Sequence, residues 1–210
     1  MSDAAPAIPY AAEVRRKALH LGALVLPAAM LVLGHPNAAF ALVPLAGLAV
    51  ALDGARVRSE PVRRILHAVF SGLMRPEEVP PLGGPVVLNG ATWMCVAAAV
   101  VAVLFPPGVA AAAMAMLMVG DGAAAVVGRR WGRTKWPDGL KSVEGTVAFA
   151  ATAFAVGLVV VVWPGSDLTL AACAAGAVAG ALVEAAPIPL NDNVRVPVLS
   201  GLAMLAVLAL

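Results

Sequence analysis

The stretch MAMLMVGDGAAAVVG, Met114–Gly128, is apolar from end to end except for one carboxylate, Asp121. The run has the character of a segment immersed in hydrocarbon. A charged side chain there is costly unless it is paired, hydrated or metal-bound, and such residues usually face a cavity. Asp121 stands seven residues before Gly128, so a helix would set it roughly 10 Å from that end. Gly120 and Gly122 flank it and let another backbone or a ligand come close. Whether the chain is a passive membrane protein or an enzyme turns on what this acid meets.

The surrounding composition settles the class. Charged residues make up 12% of the chain, half of the quarter or so found in soluble domains, and mean hydropathy is +0.92. The expected fold is an all-α integral membrane protein. At 210 residues it leaves room for a single membrane-embedded domain, 1–210, and none for a separate soluble one. A net charge of +2 is too small to point to nucleic acid. Cys95 and Cys173 lie far apart in apolar runs and read as packing residues. The N-terminal segment, 1–14, reads as disordered or interfacial, and the first apolar run as a retained span rather than a cleaved signal.

Apolar runs separated by Pro, Gly and Asn predict about seven spans, near 18–34, 37–52, 85–105, 108–128, 146–163, 168–186 and 196–210. Basic residues then fall into four groups: Arg15, Arg16 and Lys17; Arg56, Arg58, Arg63, Arg64 and Arg75; Arg129, Arg130, Arg133, Lys135 and Lys141; and Arg195. These account for all 14 Lys and Arg, and with seven spans all lie on one side. The positive-inside rule makes that side cytoplasmic, with the N-terminus in, the C-terminus out, and cytoplasmic loops at about 53–84, 129–145 and 187–195. Within the first loop, EPVRRILHAVFSGLM places Val62, Ile65, Leu66, Val69 and Leu73 at helical spacing, with Arg63, Arg64 and His67 on another face. It reads as a helix lying in the membrane interface, a surface anchor without chemistry.

Chemistry-bearing residues gather on the same side. After Asp121 comes GRRWGRTKWPDGLKSVEGT, a basic loop returning to the bilayer through Lys141, Ser142, Glu144, Gly145 and Thr146. Lys141, Arg133 and Lys135 are candidates for holding phosphates, and Glu144 for holding a metal or taking a proton. Ser142 and Glu144 would equally suit a helix start, as cap and dipole partner. GLKS lacks the glycines of a P-loop. A third element, EAAPIPLNDNVRVP, carries Glu184 at a span end and Asn191, Asp192 and Asn193 in a tight turn. Asp121, Glu144 and Asp192 are thus expected to converge on one face. Hard oxygen ligands beside Lys and Arg are what a Mg²⁺–nucleotide complex requires. His20, one turn into the first span, reaches towards the same face, while His35 lies in an outer loop.

RRKALH, LMRPEE, GDGAAAVVGRRWGRTKWP, KSVEGT and EAAPIPLNDNVRVP, in this order from about Glu13 to Pro197, resemble the polyprenol kinase family, which includes dolichol kinases, phytol kinases and CTP-dependent diacylglycerol kinases. By this resemblance Asp121, Lys141, Ser142, Glu144, Gly145, Asp192 and Asn193 match motif positions; Arg16, Lys17 and His20 match the N-terminal motif, and Arg75 and Glu78 the central one. Glu184 and Asn191 belong to the last motif stretch. Gly122 departs from the pattern, which removes a hydroxyl beside Asp121. The resemblance implies phosphoryl transfer from CTP, with Mg²⁺, to a membrane isoprenoid alcohol of phytol, geranylgeraniol, farnesol or polyprenol type. Asp121, Lys141 and Glu144 are the expected catalytic residues. Asp121, Glu144 and Asp192 are the expected metal ligands. Arg16, Lys17, His20, Arg133, Lys135, Lys141, Ser142, Gly145, Thr146 and Asn193 are expected at the nucleotide. The site would lie on the cytoplasmic side of the inner membrane.

Three rivals remain open. A diacylglycerol kinase shares the motifs. A phosphatidate cytidylyltransferase would transfer CMP, but its His-Gly-Gly…Asp-Arg ending is absent. A small transporter using Asp121 as an ion site leaves the basic loop and KSVEGT without a role.

Overall fold

The computed structural model describes residues 22–70, 74, 78–137 and 141–210. Every regular element among them is a helix: α1 Val25–Leu33, α2 Asn37–Arg56, α3 Glu60–Phe70, α4 Gly90–Leu104, α5 Pro107–Trp131, α6 Val143–Val161, α7 Leu170–Ala185 and α8 Asp192–Leu208. Arg16, Lys17, His20 and Arg75, expected at the site, lie outside the described residues, as does segment 1–14.

Apolar runs became helices where the pattern placed them, but not all at full length. α2, α5 and α6, with 20, 25 and 19 residues, are long and apolar enough to cross a membrane. α4 and α7 are apolar but stop at 15 and 16 residues. Asn89 and Thr169 cap their starts through side-chain oxygens, and Phe105 and Ala186 leave the helix in extended conformation. α1 shows nine residues and α8 has 17. The architecture is that of a helical membrane protein, with three helices of spanning length among the described residues rather than the seven expected. Helix ends also move into the expected loops. α5 continues to Trp131, where Arg129 and Arg130 complement the helix dipole, and α6 and α8 begin on the caps Ser142 and Asn191.

α5 is the hub, touching α1, α4, α6, α7 and α8. Two thirds of its most apolar window is buried, 67% against 28% for α2 and 33% for α6. Ala110–Ala113 let neighbours approach closely, and Met114, Met116 and Met118 fill what remains. Near Asp121 the packing is decided by glycine. A Cβ on Gly120 would lie 2.8 Å from the Phe149 ring of α6, and one on Gly180 of α7 would lie 3.1 Å from the same ring. Phe149 is fully buried between them and locks α5, α6 and α7 together beside Asp121. Further along, α5 and α6 almost touch: a Cβ on Gly145 would meet the Ala124 carbonyl at 3.1 Å and Gly128 Cα at 3.4 Å. α3, the expected interface helix, forms over Glu60–Phe70 against α2 and leaves Ile65 exposed.

Candidate functional site

The sequence after α5 folds back on the start of α6. Lys135 and Ser142 form an antiparallel bridge, Val143 N donates to Thr134 O at 2.9 Å, and Trp136 N donates to Lys141 O at 3.1 Å. The Ser142 hydroxyl caps α6 by accepting from Gly145 N at 3.1 Å. Thr146 Oγ1 donates to Ser142 O at 3.1 Å and accepts from the Trp136 indole at 2.9 Å. Ser142, Gly145 and Thr146 therefore build the turn, and the small Gly145 lets it sit against α5.

This turn aims Lys141 across the bundle. Its ammonium pairs with Glu184, in the last turn of α7, and lies 4.0 Å from Asp192 Oδ2, in the first turn of α8. Asp192 Oδ1 accepts from Arg195 Nε at 2.8 Å and Nη2 at 2.6 Å. Arg195 also donates through Nη1 to the Ala186 carbonyl, 2.8 Å away at the end of α7. Glu184 is 4% exposed, whereas the Lys141 side chain is 37% exposed and open to a ligand. Asn191 Oδ1 accepts from Asn193 N, and Asn193 Nδ2 reaches Gly90 O at 3.3 Å at the start of α4. Glu78 Oε1 lies 3.7 Å from where a Gly90 Cβ would stand, so this central-motif acid sits beside the same corner.

The structure thus brings Lys141, Glu184, Asp192, Asn193 and Arg195 together, with Asp121 half-buried on α5 next to the Phe149 lock. It does not assemble the expected metal cage of Asp121, Glu144 and Asp192: among the described residues no three His, Cys, Asp or Glu side chains are grouped to hold an ion. The reason is local. Glu144 turns back to accept from Thr134 N at 3.0 and 3.3 Å, and Asp192 is engaged by Arg195. Mg²⁺ at a nucleotide needs only one or two carboxylates plus phosphate oxygens. Arg133 and Lys135 are exposed on the returning loop.

One cluster went unread in the sequence. Asp53 and Arg56, at the end of α2, are 1% and 2% exposed. Asp53 accepts from Asn89 N and Nδ2, both at 2.9 Å, and lies 2.7 Å from Arg56 Nε. Arg56 also donates to Val87 O at 2.7 Å. An Asp and an Arg three apart at the end of an apolar helix, on one face, was the available signal.

Against known proteins, the chain is 24% identical over 187 residues to an uncharacterized protein of Rickettsia prowazekii, covering 88% of this chain and 89% of that one. A 43-residue stretch, 20% of this chain, is 46% identical to the dolichol kinase of Saccharomyces cerevisiae, of which it spans 8%. No family model matches the chain, and no solved structure matches it.

Proposed function

We propose that this protein phosphorylates a membrane isoprenoid alcohol, of phytol, farnesol, geranylgeraniol or polyprenol type, with CTP as donor. The observation that carries the reading is Lys141, a partly exposed cation set between Glu184 and Asp192 where the ends of α5, α6, α7 and α8 meet. The short match to a dolichol kinase supports it from outside the structure. In this reading seven helices cross the inner membrane, the N-terminus lies inside and the C-terminus outside, and the polar corner faces the cytoplasm. The substrate's tail would lie among the spans while its hydroxyl reaches that corner.

Lys141 would stabilise charge on the transferring phosphoryl group, helped by arginines of the neighbouring loop. Asp121 and Asp192 would hold Mg²⁺, which when bound neutralises the triphosphate. The Phe149 lock would keep Asp121 in register with α6 and α7. The alcohol oxygen bonds to the γ-phosphorus, the bond to the bridging oxygen breaks, and the nucleoside diphosphate leaves.

The test is purified protein with a panel of lipid alcohols, including diacylglycerol, against CTP, UTP and ATP carrying a γ-phosphate label. Labelled isoprenoid monophosphate is expected. Label in phosphatidate instead would assign diacylglycerol kinase activity, and CMP transfer without γ-label would assign a cytidylyltransferase. Asp121→Asn is expected to remain folded and to lose turnover by about 10²-fold or more through weaker charge stabilisation of the transferring group; a variant with normal turnover removes Asp121 from the site.

A further inference from the structure

Granted the proposed phosphoryl transfer, we infer that Glu184 is the group that accepts the alcohol's proton, and that Lys141 restrains it until a triphosphate binds. The acids of this corner differ in what surrounds them. Both oxygens of Asp53 are taken by Arg56 and Asn89. Glu144 stands in the first turn of α6 and accepts from a backbone amide, and Asp192 stands in the first turn of α8 and takes the Arg195 fork. In both places the positive end of the helix favours the anion. Glu184 stands in the last turn of α7, where the dipole opposes its charge, and it is almost wholly buried. Its balancing charge is Lys141.

Lys141 is the one member of that pair with room to leave. It is a point charge on a flexible stem, and its side chain is 37% exposed. A triphosphate entering the corner competes for it with several negative charges. With the ammonium drawn to phosphate, Glu184 becomes a buried anion at the negative end of a helix without its cation, an arrangement relieved by taking a proton. The alcohol supplies that proton. Its O–H bond breaks, the proton goes to a Glu184 carboxylate oxygen, and the oxygen bonds to the γ-phosphorus as the bridging oxygen leaves with the diphosphate. When the diphosphate departs, Lys141 returns and the proton passes to solvent. The base is therefore masked in the absence of nucleotide.

The test compares wild type, Glu184→Gln, Glu184→Asp and Lys141→Met, each purified in detergent. CTP binding is measured by calorimetry without lipid, and γ-label transfer with the best alcohol of the panel. Glutamine keeps the size of Glu184 and its hydrogen bond to Lys141. Glu184→Gln is expected to bind CTP at least as tightly as wild type, because a neutral amide holds the Lys141 ammonium less strongly than a carboxylate does, and to lose transfer by about 10²- to 10⁴-fold. Glu184→Asp should regain part of the transfer, and Lys141→Met should bind CTP more weakly. Transfer by Glu184→Gln close to wild type overturns the inference, as does a Glu184→Gln whose CTP binding weakens like that of Lys141→Met. A Glu184→Asp as inert as Glu184→Gln also overturns it. A wild type that binds no CTP and labels no alcohol fails at the earlier step and refutes the kinase reading itself.

Discussion

Two ion-pair clusters sit at the same end of the bundle and are built to opposite ends. In the first, Asp53 and Arg56 are both sealed from solvent, and each is tied to the strand of chain that leads into α4: Asp53 to Asn89, Arg56 to Val87. In the second, Glu184 is sealed but its partner Lys141 is not, and Asp192 is also half open. A closed pair has no capacity for a ligand and fixes α2 against α4. An open pair keeps one charge in reserve. The difference teaches that burial of a carboxylate is not what marks a site here. The exposure of its partner is.

Breaking the closed cluster should have the largest effect on stability. Asp53→Ala strands a buried guanidinium, and breaking such a pair costs about 3–5 kcal/mol. Thermal unfolding in detergent should fall steeply, and an unchanged midpoint would erase the distinction between the clusters. Lys141→Met should do the reverse. Its loss removes a charge-stabilising donor, lowering transfer by about 10²- to 10³-fold, while unfolding moves less than for Asp53→Ala because water can reach Glu184 through the gap that Lys141 leaves. If Lys141→Met unfolds as readily as Asp53→Ala, the second cluster is structural as well. The smallest effect belongs to a pair outside both clusters. Arg64 Nε lies 3.5 Å from Glu60 on exposed α3, and Arg64→Ala should shift stability by no more than about 0.5 kcal/mol and leave transfer intact. A larger loss of transfer would give α3 a part in the site.

Much of the site was legible, but as an inventory. Glu144 shows where such reading stops. Its position after Lys141 and Ser142 suited both a metal ligand and a helix-start acid, and the fold took the second, with the carboxylate also closing the Thr134 turn. Glu184 was visible only as a motif residue, because its partner lies 43 positions earlier in the chain. Arg56 was counted as a loop charge at a span end and Asp53 was passed over, since nothing in a linear pattern says that residues 87–89 return to cover them.

Periodicity, capping residues and the high share of apolar residues act over a few residues or over bulk composition. They were enough to place α2 and α4–α8 to within a few residues and to make the chain a helical membrane protein. Helix length was less certain, because a span ends where a cap satisfies its backbone, and Asn89 and Thr169 close α4 and α7 at points that hydropathy does not register. Pairing was out of reach altogether. Which acid meets which cation depends on how Phe149 wedges between Gly120 and Gly180 and so sets the register of three helices. Side-chain packing at contact distance decides that register, and only the folded bundle contains it.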